Sequence, residues 1–259
     1  MSGLDIDASS GIDSPIHRWD PRAKVASILV LIFSVVMVES VRVALLGLAL
    51  SMAVLLASRL PLRDVARRAR WPVIFILPIF FILPFTGGGE RTVAVSAVDL
   101  SLDGLLLGSL ILARGVSAVL LAYPLFATSP FNITVQALRG LRFPEVVLQI
   151  FLFTYRYLFL LSEEMRSIEK SLASKSFAKR TDLRTAKVIG TALGMLFVRS
   201  YERSERIYRA MVSRGYDGAL PSSGKFQMKR GDWAKSLAVV GAALLLQLID
   251  HAATQGMIL

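Results

Sequence analysis

Residues 144–175 read PEVVLQIFLFTYRYLFLLSEEMRSIEKSLASK. The first half is apolar and aromatic as far as Leu161, and the second, from Glu163, Glu164 and Arg166 to Glu169 and Lys170, is charged. No glycine or proline interrupts the change after Pro144, so the stretch reads as one long helix that leaves an apolar layer and enters water. A second helix of the same make begins near Thr181-Asp182, where either side chain can cap it. It passes from apolar Val188 to Val198 into Arg199, Glu202, Arg203, Glu205, Arg206 and Arg209. Within it, Glu202 with Arg206 and Glu205 with Arg209 stand at the favourable spacing of four, each pair contributing about 0.3–0.5 kcal/mol.

The rest of the chain supplies the apolar layer. Of 259 residues, 54% are hydrophobic, none is cysteine, and the formal net charge is +11. Apolar runs near 24–41, 43–59, 71–87, 104–127 and 234–254 are too long and too uncharged for a soluble core. The predicted fold is an all-α integral membrane protein with about five transmembrane helices and two long cytoplasmic helices. The first run follows the charged Arg18 to Lys24 stretch without a small-residue cleavage site, which reads as a retained span. Absence of cysteine excludes disulfides and thiolate metal sites.

Basic residues set the orientation. Arg18, Arg22 and Lys24 precede the first run, and Arg59, Arg63, Arg67, Arg68 and Arg70 crowd the second connection between spans, so both belong inside. The short turn at Ser40–Arg42 and the segment from Gly87 to Asp103, with Glu90, Asp99 and Asp103 against Arg91, belong outside. The N-terminus is then cytoplasmic, in a cell inner or plasma membrane. Three regions follow: 1–127 with four spans, 128–232 as a cytoplasmic helical region, and 233–259 with the last span. Runs 145–161 and 186–198 stay open as two further spans, although the connection between them carries Lys179, Arg180 and Arg184, the wrong charge for the outside.

Local signals fill in the connections. After Gly87-Gly88-Gly89, the alternation from Thr92 to Leu102 predicts a short hairpin or loop. Ser129-Pro130 predicts a helix start with serine as cap, and Gly140 with Pro144 ends that helix. Pro78, Pro84 and Pro124 within spans open backbone hydrogen bonds and permit bends.

The two long helices end alike. Ser174-Lys175-Ser176-Phe177 and Ser213-Arg214-Gly215-Tyr216 correspond at a constant offset, and the same offset pairs Glu163 with Glu202, Ile168 with Ile207, Lys170 with Arg209, Leu172 with Met211 and Ala173 with Val212. This short quasi-repeat reads as two copies of one docking device for a partner with two equivalent halves. Two basic amphipathic helices alike in composition are the plainer explanation. Gly215 also fits a simple C-cap with a cation favoured by the helix dipole.

These segments, with His17-Arg18-Trp19-Asp20-Pro21-Arg22-Ala23-Lys24, Thr128-Ser129-Pro130, Ala137-Leu138-Arg139, Phe143-Pro144 and Ala210 to Gly218, carry a resemblance over essentially the whole chain. The chain resembles the transmembrane T component of energy-coupling factor transporters, ABC-type importers of vitamins and metal ions, most closely the cobalt-type CbiQ family. The resemblance implies a non-catalytic coupling subunit whose cytoplasmic coupling helices end in Ala-Arg-Gly-like motifs, each arginine seating in a groove on one of two ATP-binding subunits. Ser213-Arg214-Gly215 matches the second motif, with serine for alanine, and Ser174-Lys175-Ser176 takes the place of the first. There lysine lacks the planar five-donor fork of arginine, and serine adopts a positive φ less readily than glycine.

The implied partners are two ATP-binding subunits, a CbiM-like membrane substrate-binding component with a small CbiN-like subunit as an optional further member, and membrane lipid, with no nucleic acid. The implied cargo is cobalt ion, with nickel or a vitamin as alternatives in the same role. No cofactor is expected on this chain; ATP and Mg are expected on the partner ATPases. The sequence itself has no glycine-rich loop followed by Lys-Ser/Thr to cradle phosphate.

Other features carry less. Ala113-Arg114-Gly115 repeats the motif's letters in mid-span, out of reach of a soluble partner. A membrane-embedded arginine must face protein, and Glu39 and Asp250 are candidate partners, as is an interface with another membrane subunit. His17 and His251 sit at opposite predicted faces and cannot share a metal ion. An embedded enzyme acting on a phosphorylated or lipid substrate would need clustered acids, and Glu163-Glu164 is read as a solvated pair. A carrier working without ATPases leaves the quasi-repeat unexplained.

Overall fold

Proline and aspartate open the first helix. In the computed structural model, Asp20 caps α1 (Pro21–Met37) by accepting from the Arg22 amide at 2.9 Å, with Pro21 at the position that needs no donor. The structure describes residues 16, 19–86, 92–95, 98–141, 143–177, 180–218 and 228–256; His17, Arg18, Gly87 to Arg91 and Lys179 lie outside them. The elements that follow are α2 (Val41–Ala57), α3 (Leu62–Thr86), β1 (Thr92–Val95), β2 (Val98–Ser101), α4 (Leu102–Ala127), α5 (Phe131–Gly140), α6 (Glu145–Ser174), α7 (Leu183–Val212) and α8 (Arg230–Gln255). The strands form the expected hairpin, antiparallel with Thr92 opposite Ser101 and Val95 opposite Val98. Apart from it the described fold is all-α.

Packing divides the chain into two compact units, Met1–Leu141 with Phe226–Leu259, and Arg142–Lys225. In the first, α1 is the central post, with Ile28, Leu31 and Val35 fully buried against α4, α5 and α8. Polar stitches join α1 to α8: the Ser34 hydroxyl donates to the Ala243 carbonyl at 2.8 Å, and Gln247 donates to the Ser34 carbonyl at 2.8 Å. In an apolar layer such bonds contribute roughly 0.6 kcal/mol each. Helices α3 and α4 approach closely because Gly104 abuts the Leu83 carbonyl and Gly108 the Phe80 backbone; a methyl group would collide at Gly104 and would be tight at Gly108. The outward faces remain greasy: Phe75 on α3 is 81% exposed and Leu237 on α8 74%. Those exposures fit lipid contact better than water.

By length and composition, four described helices can cross a bilayer: α3, α4, α6 and α8. Helices α1 and α2 have 17 residues each, or about 25 Å of rise, and need flanking residues to reach across about 30 Å of hydrocarbon. Helix α6 qualifies by length and composition through its apolar first half, whereas α7 does not reach that apolarity.

Two local expectations need correction. The arginine-rich stretch read as a connection is instead the start of α3, which runs unbroken from Leu62 through Arg63, Arg67, Arg68 and Arg70 into the apolar part, past Pro72. Arginine and alanine are good helix formers, and the real turn is confined to Ser58–Pro61, where Arg59 takes φ +53°. Second, Ser129 does not cap α5; Pro130 stands at that position. The Ser129 hydroxyl instead receives the ammonium of fully buried Lys24, which also donates to Thr128 Oγ1 at 3.0 Å and the Thr128 carbonyl at 3.4 Å. A buried charge takes such oxygens in preference to leaving them to a helix end. Helix α5 packs on α1 and groups with the first compact unit.

Candidate functional site

The proposed docking motifs stand at the C-terminal ends of the two long helices of the second unit. Helix α7 begins where expected: Asp182 accepts from the Thr185 amide at 2.7 Å. Hydrogen bonding from the Thr185 side chain and then its amide holds the Asp182 carboxyl below the usual carboxylate range. Each helix is 30 residues long, about 45 Å.

Their C-terminal ends are built on one pattern. At the end of α6, the Lys175 amide donates to Leu172, Ser176 to Ala173 and Phe177 to Leu172, at 3.1, 2.9 and 3.1 Å. At the end of α7, Arg214 donates to Met211, Gly215 to Val212 and Tyr216 to Met211, each at 3.0 Å. Both are Schellman caps, and the residue at the turning point is left-handed in each, Ser176 at φ +57° and Gly215 at φ +83°. The quasi-repeat is therefore one backbone structure made twice. Ser174 and Ser213 fold their hydroxyls back onto the Lys170 and Ala210 carbonyls, leaving Lys175 and Arg214 as the projecting groups. Both are exposed, and neither forms an ion pair among the described residues.

The left-handed position costs serine more than glycine. Ser176→Gly is expected to stabilise the α6 end by about 0.5–1 kcal/mol, and Gly215→Ala to weaken the α7 end by about as much. Amide hydrogen exchange at residues 177 and 216 reads both changes.

Two sets of contacts hold the helices together, and sequence reasoning singled out neither of them. Gln149, near the start of α6, accepts from the Tyr216 hydroxyl at 2.5 Å and donates to the Gly218 carbonyl at 2.6 Å. Glu164 sits between Arg199 at 3.4 Å and Arg203 at 3.2 Å, its own side chain only 16% exposed. It is a clamp and not the solvated charge that its neighbours suggest. The row Gln149, Phe153, Tyr157 and Leu161 faces Ser204, Ile207 and Met211 across an apolar groove of about 370 Å³. Glu205 pairs with Arg209 at 3.2 Å as expected, but among the described residues no contact joins Glu202 to Arg206. Helix spacing alone would find the i, i+4 rows; the cross-helix partners needed the tertiary structure.

Glu164→Gln is expected to loosen the α6–α7 pairing by about 1–2 kcal/mol, between values for exposed and for buried ion pairs because Arg199 is half exposed. The check is faster hydrogen exchange in the facing turns of both helices.

The clip at Gln149 fixes the spacing of the tips. Arg214 lies two residues before Tyr216, whereas Lys175 is 26 residues along α6 from Gln149 (175 − 149), on the order of 40 Å at 1.5 Å per residue. One antiparallel helix pair thus presents two matched cationic ends at opposite extremes. Residues 13–228 match the cobalt transport protein family CbiQ. The chain belongs to the CbiQ family. Among its relatives, the energy-coupling factor transporter transmembrane protein EcfT of Bacillus selenitireducens is 27% identical over 90% of each chain. The EcfT of Thermanaerovibrio acidaminovorans is 32% identical over 85% of each. A Methanocorpusculum labreanum protein named as a fused cobalt transport protein CbiMQ is 27% identical over 54% of this chain and 24% of its own length. The apolar outward faces agree with membership in a family of multi-pass membrane proteins.

The other candidate contacts resolve differently. The Asp250 carboxylate accepts from the Glu39 and Ser40 amides at 2.9 and 3.0 Å, tying α8 to the α1–α2 turn, and so is not a partner of Arg114. His251 contacts Gln255 at 2.9 Å on an exposed face, while His17 lies outside the described residues.

Proposed function

We propose that this chain is the transmembrane coupling subunit of an energy-coupling factor importer. Two ATP-binding subunits, which hold the ATP and Mg, close on each other; Lys175 and Arg214 seat in one subunit each; and the α6–α7 pair passes the motion to a separate membrane substrate-binding subunit. Ser174, Ser176, Ser213 and Gly215 shape the two ends. The observation that carries this reading is the duplicated cap with its exposed cation, unpaired among the described residues, set at both extremes of one clamped helix pair.

The chemistry of the parts suits the task. A lever needs rigidity, supplied by the Glu164 clamp and the Gln149 clip. It needs charged ends to find acidic grooves on a soluble partner. An apolar face must grip the membrane-embedded subunit, and the groove of Phe153, Tyr157 and Ile207 offers one. In this reading ATP hydrolysis belongs to the partner subunits, and the charge bias supports an N-terminus on the cytoplasmic side of the plasma or inner membrane. Cobalt ion as cargo rests on the family and on the name of the fused relative. Relatives named only as energy-coupling factor transporter transmembrane proteins carry no cargo in their names, and nickel ion or a vitamin stays the alternative in the same role, with cargo chosen by the partner.

Affinity purification of the chain from its own membranes in mild detergent tests this. Recovery of ATP-binding subunits with a membrane substrate-binder, and loss of the ATP-binding subunit at the α7 end with Arg214→Glu, is the expected result. Recovery of the chain alone, or of the same partners with both forms, would overturn it.

A further inference from the structure

Arg114 is the thirteenth of 26 residues in α4, about 18 Å from either end of a helix otherwise charged only at Asp103. Its side chain is half-buried, and its buried Nε has no hydrogen-bond partner among the described residues. Asp250 is committed to the Glu39 and Ser40 amides, and Asp103 is three turns away along the helix. On either side of Arg114, Ala113 belongs to the core and Gly115 packs against Ile76 of α3. Arg114 therefore falls in the gap between those two contacts. Leu107, Ile111, Arg114 and Ala118 follow at spacings of four, three and four, one stripe on which Leu107 and Ile111 are exposed.

An unpaired guanidinium on such a stripe is out of place in lipid. From mid-helix the headgroups are about 15 Å away, beyond the reach of one side chain. Its planar fork matches a carboxylate with two parallel bonds. We infer that the stripe Leu107–Ile111–Arg114–Ala118 is an intramembrane contact surface for a helix of the membrane substrate-binding subunit, and that Arg114 holds a carboxylate which that helix presents at mid-bilayer depth. The inference rests on the multisubunit reading above.

The complex is purified in mild detergent with wild-type chain, Arg114→Leu, Arg114→Lys and Arg114→Glu, quantifying the membrane subunit and the ATP-binding subunits separately. Arg114→Leu is expected to lower recovery of the membrane subunit about tenfold and leave the ATP-binding subunits at the wild-type level, with Arg114→Lys between. Arg114→Glu is expected to recover the membrane subunit only when one intramembrane Asp or Glu of that subunit is changed to Arg. Wild-type recovery of the membrane subunit with Arg114→Leu would overturn the inference. So would loss of all partners together with a lowered melting temperature of the chain, which marks an internal structural role. If wild-type chain brings down no membrane subunit at all, the multisubunit reading itself fails, and this inference with it.

Discussion

Arg214→Ala is expected to abolish ATP-driven transport and release the ATP-binding subunit at that end, while Lys175→Ala weakens its end only several-fold. The difference follows from chemistry at two positions with the same backbone. A buried arginine anchor at an interface typically contributes 2 kcal/mol or more, about 30-fold in affinity. A lysine offers a compact, strongly hydrated charge without the bidentate fork, and roughly 1 kcal/mol, about fivefold, is its expected share. Arg214→Lys should then fall to the strength of the Lys175 end, and Lys175→Arg should strengthen the first end. Binding of the purified ATP-binding subunits to each variant, measured over a salt series, separates the cases. The projecting side chains have no internal partner among the described residues, so none of these substitutions should alter the melting temperature. Equal and negligible losses at both ends would remove the docking model.

Asp250→Ala is expected to destabilise the chain by about 2–4 kcal/mol. Two part-buried backbone amides at the α1–α2 turn, Glu39 and Ser40, lose a charged acceptor that is only 5% exposed, and a hydrogen bond to a charged group contributes about 1.5–3 kcal/mol, toward the lower figure where it is part-buried. Asp250→Asn keeps one carbonyl acceptor and should lose roughly half as much. Thermal unfolding in detergent checks both. A double variant with Arg114→Leu is informative here: the two effects should add, because the groups do not pair, whereas a coupled Arg114–Asp250 pair would make the second loss smaller than the first.

The sequence made the helices legible wherever one physical signal dominated. Apolar runs gave α4 and α8 nearly to their ends, and the uninterrupted change from apolar to charged gave α6 and α7. The constant offset between Leu172–Phe177 and Met211–Tyr216 foretold two like ends, realised as matched caps. Failures came where two uses competed for one residue. Ser129 looked like a cap and is taken by Lys24. Arg63 to Arg70 looked like a loop because of charge, but charge marks the membrane boundary and not the end of a helix. Glu164 and Gln149 carried no sequence signal because their partners lie 35 to 69 residues away. Asp250 was read as a candidate partner for Arg114, and its partners proved to be the Glu39 and Ser40 amides, which a sequence cannot point to.

The central claim is that both capped ends touch ATP-binding subunits at once, on the order of 40 Å apart. A photo-cross-linking residue placed at position 175, at 214, and at both, irradiated in intact membranes, tests it most directly. Adducts with an ATP-binding subunit from each single position, and adducts carrying two such subunits from the double one, are predicted. Adducts from neither position, or a single ATP-binding subunit captured from the doubly labelled chain, would contradict it.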